Sequence, residues 1–125
     1  HVQLHIAISD LANETKCYQY WIDDKKTLND DAILDKYIYC LKQIISLGIY
    51  NSYNDIESVD IEPSEYCLSD QFLNLYIDVN DLVISPSKDH FITLAEDFLS
   101  LGISLGFTEK LITSRFSIFK QQIAL

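Results

Sequence analysis

The sequence contains little glycine and proline, and this shortage limits the kinds of chain it can be. Three glycines and two prolines in 125 residues leave no material for a long flexible linker. Hydrophobic residues make up 48% and charged residues 22%, which is near the globular average and argues against disorder. No apolar run approaches the roughly 20 residues that a membrane span needs. These absences predict one domain over residues 1–125, with no membrane contact.

Cysteine is also scarce, and its placement does not suggest a set of disulfides. Cys17, Cys40 and Cys67 are odd in number and include no CxxC pair. Free thiols packed as small hydrophobes in a reducing compartment are therefore the simplest interpretation. The first eight residues lack the basic start and apolar block that are typical of a signal peptide. The sequence predicts a cytoplasmic protein.

Catalytic and ligand-binding motifs are missing as well. HExxH, GxSxG, GxxxxGKS and GxGxxG do not occur, so zinc, acyl-transfer and phosphate-binding sites lack their local geometry. Asp78 and Asp81 could meet a hard cation at a predicted turn, although exposed turn carboxylates are far commoner. A pair of Cys67 and His90 could form only through the fold. We therefore expect no catalytic residue, no metal, no cofactor and no direct nucleic-acid contact, which means that the protein is not expected to be an enzyme.

Two kinds of hydrophobic periodicity run through the chain. Alternation of apolar and polar residues predicts strands, and apolar residues at helical spacing predict helices. The predicted strands are 2–8, 17–22, 56–62, 73–79 and 82–85, with a polar turn at 9–16 and a two-residue turn at Asn80-Asp81. The predicted helices are 30–47, 88–101 and about 108–123. The expected fold is α+β, an antiparallel sheet of about four or five strands with about three helices packed on it.

Helix ends are also visible in the sequence. Asn29, Ser87 and Thr108 stand where a side chain can accept a hydrogen bond from the first free amides of a helix. Gly48 and Gly102 stand in identical Ser-Leu-Gly-Ile tetrapeptides after two apolar stripes. We expect both glycines to end helices, because glycine readily adopts the left-handed conformation found there.

Acidic residues are concentrated in the middle third of the chain. Between Asp55 and Asp97 there are eleven acidic residues and one basic residue, Lys88, and the net charge of the whole chain is −10. A solvated acidic face is one interpretation. Tyrosines interleave with the acids, and tyrosine is enriched in protein interfaces. The other interpretation is a negative surface for a basic protein partner, formed by Tyr53, Asp55, Glu57, Asp60, Glu62, Glu65, Tyr66 and Asp70.

A small, acidic chain without motifs resembles bacterial immunity proteins of the contact-dependent growth inhibition or colicin type. The acidic segment from Asp55 to Asp97 and its tyrosines carry this resemblance. It implies an inhibitor that binds a cognate toxin, often a basic nuclease domain, and blocks its active site or substrate groove. Because charge would steer the encounter, binding is expected to weaken with salt. A monomer or weak homodimer would suffice.

Other functions stay open at this point. Carboxylates in two phosphate-like rows would indicate a phage-type nucleic-acid mimic that inhibits a DNA-binding enzyme. A concave site with shifted pKa values would indicate a small enzyme. A large apolar patch would indicate a structural subunit.

Overall fold

The computed structural model describes residues 1–16, 30–53, 61–108 and 110–111. These residues contain four helices and no strand, so the expected α+β fold with its antiparallel sheet is wrong. The predicted strand at 17–22 and most of the one at 56–62 lie outside the described residues. That residues 1–125 form one domain stays a prediction. The helices are α1 (Val2–Thr15), α2 (Asp30–Tyr50), α3 (Leu68–Ile84) and α4 (Lys88–Ser104).

The first predicted strand is the beginning of α1. The buried residues of this helix recur at helical spacing, whereas Val2 and Ile6 are 74% and 58% exposed. Strand and helix periods coincide at Leu4 and Ile8, so a run of seven residues could not distinguish them. The predicted polar turn after it is the second half of the helix, which ends at Lys16 with a left-handed φ of 54°. The buried residues of α1 are Leu4, Ala7, Ile8, Leu11 and Thr15.

The predicted strands 73–79 and 82–85 are wrong for the same reason. Residues 73–84 belong to α3, Ser85 is its C-cap, and Asn80 and Asp81 are helical rather than a hairpin turn. Leu73 and Ile77, which alternation placed with the buried residues, are more than half exposed. The chain leaves the helix before Pro86, which disfavours helical backbone in the preceding residue. The buried residues of α3 are Gln71, Phe72, Leu75, Asp78, Val79 and Leu82.

The helices predicted at 30–47 and 88–101 are confirmed as α2 and α4, and the Ser87 side chain accepts a hydrogen bond from the His90 amide at 3.1 Å. Their predicted ends are wrong, because both helices continue through the glycine. Gly48 is buried beneath the Phe91 ring, and a Cβ atom there would lie 2.5 Å from Phe91 Cζ. Gly48 therefore allows α2 and α4 to approach each other.

The apolar faces of the four helices form one core. α1 packs mainly on α2, and α3 packs mainly on α4, with further contacts between α1 and α3 and between α2 and α4. Tyr37 of α2 stacks on Phe98 of α4 with ring centroids 4.4 Å apart, and its hydroxyl donates to the Phe98 carbonyl oxygen at 3.0 Å. This buried contact joins the two halves of the bundle.

The remaining predictions about the chain have mixed outcomes. Cys40 is buried and burial, together with the charge of Asp10, raises the pKa of its thiol to about 12, as expected of a packed cysteine. Cys67 is exposed, so the prediction of packing is wrong for it. Thr108 accepts a hydrogen bond from the Leu111 amide at 3.1 Å, as predicted, and the rest of that predicted helix lies outside the described residues. None of the helices in the described ranges is long and apolar enough to cross a membrane.

Candidate functional site

A buried carboxyl group marks the contact between α3 and α4. Asp78 of α3 is only 6% exposed, and within the described structure its Oδ2 atom has no hydrogen-bond partner. Burial, a hydrogen bond with the Asp97 side chain, and the negative charges of Asp97 and Asp81 together raise the pKa of Asp78 to about 8. A buried carboxyl oxygen without a hydrogen-bond partner costs free energy, which makes Asp78 a candidate functional residue.

The second carboxyl group of the pair comes from α4. Asp97 is half-buried, and the Asn74 side chain donates to its Oδ2 atom at 2.8 Å. Asn74 and Asp78 are four residues apart, so the helical form of α3 places both on the side that faces α4. The amide therefore orients Asp97 beside Asp78.

Asp97 lies at the junction of two clefts. The larger has a volume of about 360 Å³ and the smaller about 50 Å³. Ser64, Asp97 and Ser100 line both of them, so the two clefts adjoin. The larger cleft is also lined by Glu62, Pro63 and Glu96, and the smaller by Gln71 and Asn74.

One wall of the larger cleft is formed by the non-helical segment 61–67, which precedes α3 and which we call the strap. The Ser100 hydroxyl donates to the Glu62 carbonyl oxygen, and Gln71 Nε2 donates to the Tyr66 carbonyl oxygen at 2.9 Å. Glu62 thereby lines the same cleft as Asp97.

Carboxylates grouped in this way can hold a hard cation. Within the described ranges, no group of three or more His, Cys, Asp and Glu side chains is arranged to hold a metal ion. Mg²⁺ is commonly bound by only one or two carboxylates, with water and substrate phosphates filling its other positions. The Asp78–Asp97 pair, with its unpartnered oxygen, fits such a shared cation.

The structure describes five of the eight residues that were predicted to bind a partner. Asp55, Glu57 and Asp60 lie outside the described residues. Tyr53 is half-buried and stacks on Phe91. The other four are exposed, and their binding of a basic protein stays a prediction: Glu62, Glu65 and Tyr66 on the strap, and Asp70 in the first turn of α3.

The possible pair of Cys67 and His90 is not formed. Gln71 Nε2 donates to Ser104 Oγ at 2.9 Å, which places the start of α3 beside the end of α4. His90 lies at the opposite end of α4, where its Nδ1 atom is 2.7 Å from the Ser85 carbonyl oxygen. A helix of 17 residues separates the two side chains by about 25 Å along its axis.

Comparison with known proteins shows which family the chain belongs to. A family model described as dUTPase matches residues 2–121. The chain belongs to this dUTPase family. No curated protein and no solved structure gives a match.

Membership of the dUTPase family overturns the functional predictions made from the sequence. The family name denotes an enzyme that hydrolyses a nucleotide, so the expectations of an immunity protein and of a protein without enzymatic activity are both wrong. Nothing in the comparisons favours a nucleic-acid mimic or a structural subunit instead. Acidity and the absence of familiar motifs are shared by many protein classes, which is why the resemblance misled.

From the sequence, Asp78 was considered as a cation ligand and Glu62 as a partner-binding residue, but neither was connected with Asn74 or Asp97. Asp78 was placed beside a hairpin turn, where a carboxylate would be exposed. Asp97 was counted only as an acidic residue, and Asn74 was given no functional role. The available signal was the spacing of Asn74, Asp78 and Asp81, which lie on one side of a helix but on both faces of a strand.

Proposed function

We propose that this member of the dUTPase family hydrolyses dUTP in the cleft formed by the strap, α3 and α4. The family match over residues 2–121 carries the proposal. The Asp78–Asp97 pair supports the location, because Asp97 lines the cleft and shares a hydrogen bond with Asp78, whose Oδ2 atom has no hydrogen-bond partner in the described structure.

The charge of the cleft determines how such a substrate could bind. A triphosphate is strongly anionic, and Glu62, Glu96 and Asp97 line the cleft. Direct contact between phosphates and carboxylates would be repulsive, so a divalent cation must lie between them. When bound, this cation would neutralise phosphate charge and polarise the phosphoryl group that water attacks.

Different residues of the chain would hold the cation and the substrate. Asp78 and Asp97 would hold the cation, with Asn74 fixing the orientation of Asp97 through its 2.8 Å hydrogen bond. Glu62 would contribute a further carboxylate from the strap. Ser64 lines both clefts, and its hydroxyl group can bind a polar group of the nucleotide.

An assay of the purified protein with dUTP and Mg²⁺ tests this function. We expect release of phosphate or pyrophosphate, separated by chromatography, and loss of that release in EDTA. Asp78→Asn and Asp97→Asn should each lower kcat/KM by about 100-fold or more, since removing a charged group that stabilises the transition state costs several kcal/mol.

Asp10→Asn is the matched control, because it removes an exposed carboxylate of α1 and should retain wild-type activity. Deoxynucleoside triphosphates with other bases should be compared at the same concentration. Failure to hydrolyse any of them with Mg²⁺ or Mn²⁺, or full activity of Asp78→Asn, would contradict the proposal.

We also propose that the protein acts in the cytoplasm. Cys40 and Cys67 are free thiols, and free thiols persist most readily in a reducing compartment. Cell fractionation with an antibody against the protein would test this location.

A further inference from the structure

The strap is not fixed by hydrophobic burial. Ile61 and Tyr66 are 43% and 71% exposed, and both belong to the exposed large hydrophobic residues of the molecule. Apolar side chains that are this exposed contribute little to holding a segment in place. The position of the strap must depend on polar contacts instead.

Two hydrogen bonds connect the strap to the helices, one near each of its ends. The Ser100 hydroxyl of α4 donates to the Glu62 carbonyl oxygen. Gln71 Nε2 of α3 donates to the Tyr66 carbonyl oxygen at 2.9 Å. Between them, the Tyr66 amide donates to Ser64 Oγ at 3.1 Å and closes a local turn within the strap.

Gln71 is itself held rigidly. It is only 7% exposed, and its Nε2 atom also donates to Ser104 Oγ of α4 at 2.9 Å. A buried amide with its hydrogen bonds made has little freedom to rotate, because leaving them unmade would be costly. Gln71 therefore presents a fixed donor to the strap, while Ser100 holds the backbone of Glu62, which lines the cleft.

We propose that Ser100 and Gln71 are positioning residues, which hold the strap so that Glu62 lies at the cleft and thereby raise the affinity of the cleft for a divalent cation and its nucleotide. This inference rests on the proposed function. It assigns to two uncharged side chains a role in binding that neither their residue type nor their position in the sequence indicates.

Direct titration with Mn²⁺, followed by electron paramagnetic resonance of the free ion, tests this role without any assay of activity. Mn²⁺ prefers the same oxygen ligands as Mg²⁺. We expect Ser100→Ala to raise the Kd for Mn²⁺ by about 3- to 10-fold, the factor that corresponds to one hydrogen bond. Ser100→Thr keeps a hydroxyl group and should restore most of the affinity.

Kinetic measurements distinguish positioning from a general structural role. For Ser100→Ala we expect a similar rise in the KM for dUTP, with kcat changed by less than about two-fold. Gln71→Ala should likewise raise the KM and leave kcat nearly unchanged, when both are measured on the folded fraction of that variant. Ser9→Ala is the matched control. It also removes a hydrogen-bonded serine hydroxyl, because Ser9 Oγ of α1 lies 2.8 Å from the Tyr76 hydroxyl of α3, but this contact is outside the cleft.

The results of these measurements either support or overturn the positioning role of Ser100. A lower Tm of Ser100→Ala with unchanged Mn²⁺ affinity and KM would overturn the proposal, and so would the same loss of affinity in Ser9→Ala. Absence of Mn²⁺ binding by the wild-type protein would overturn it too. If the wild type binds Mn²⁺ and Ser100→Ala binds it more weakly, but dUTP is not hydrolysed, positioning stands and the proposed substrate is wrong.

Discussion

At the scale of single residues, Gly48 shows how packing can require a residue that local conformation does not. Glycine in the interior of a helix is unfavourable by about 0.8–1.0 kcal/mol relative to alanine. Gly48 nevertheless lies in α2, because the Phe91 ring occupies the space that a side chain would need. Tyr53 also stacks on the Phe91 ring, with ring centroids 5.4 Å apart, which limits movement of the Phe91 ring.

We expect Gly48→Ala to destabilise the protein by about 1 kcal/mol. Overpacking of a core costs about 1–3 kcal/mol, and the gain in helix propensity offsets part of it. Unfolding in urea measures the change. In a Phe91→Leu background the added methyl group has room, so the same substitution should be neutral or stabilising there. A rise in stability on Gly48→Ala alone would contradict this expectation, because it would mean that the Phe91 ring moves aside at little cost.

At the scale of helices and loops, the sequence predicted the ends of helices correctly where a side chain caps them. Ser87 and Thr108 were predicted as caps, and each accepts the expected hydrogen bond from an amide three residues later. Gly48 and Gly102 were predicted as ends and are not. A cap is a contact between residues within four positions of each other. Whether a glycine ends a helix or lies inside it depends instead on what packs against it in the folded protein.

Removing the Ser87 hydroxyl should weaken the start of α4. We expect Ser87→Ala to lower the free energy of unfolding by about 1 kcal/mol, because the His90 amide then loses its acceptor. Ser85→Ala, two residues earlier and at the end of α3, serves as the control and should change stability by less than about 0.5 kcal/mol. Equal effects of the two substitutions would contradict a capping role.

At the scale of the whole molecule, the Asp78–Asp97 pair links the stability of the bundle to pH. The folded protein has an Asp78 pKa of about 8, compared with 3.8 for an exposed aspartate. Between these values the folded protein keeps a proton that the unfolded chain has released. The contribution of Asp78 to the free energy of unfolding therefore falls as the pH rises from about 4 to about 8, and then levels off.

The difference between wild type and Asp78→Asn isolates this effect. In metal-free buffer with EDTA, we expect the Tm of the wild type to fall more between pH 6 and pH 9 than that of the variant, which cannot titrate at this position. The asparagine has nearly the same size and stays neutral, so it should not disturb the fold. Parallel pH profiles of the two proteins would contradict the raised pKa.

The amino-acid sequence was enough to predict α2, α4 and the caps at Ser87 and Thr108, because these depend on contacts between near neighbours in the chain. That residues 2–15 and 68–84 are helices rather than strands follows from the packing of the helices on one another. In both stretches the short apolar pattern fits either period, and the buried face is known only once a neighbouring helix covers it. The same holds for the candidate site. Asp78 and Asp97 are nineteen residues apart, and they form a pair because α3 and α4 pack side by side.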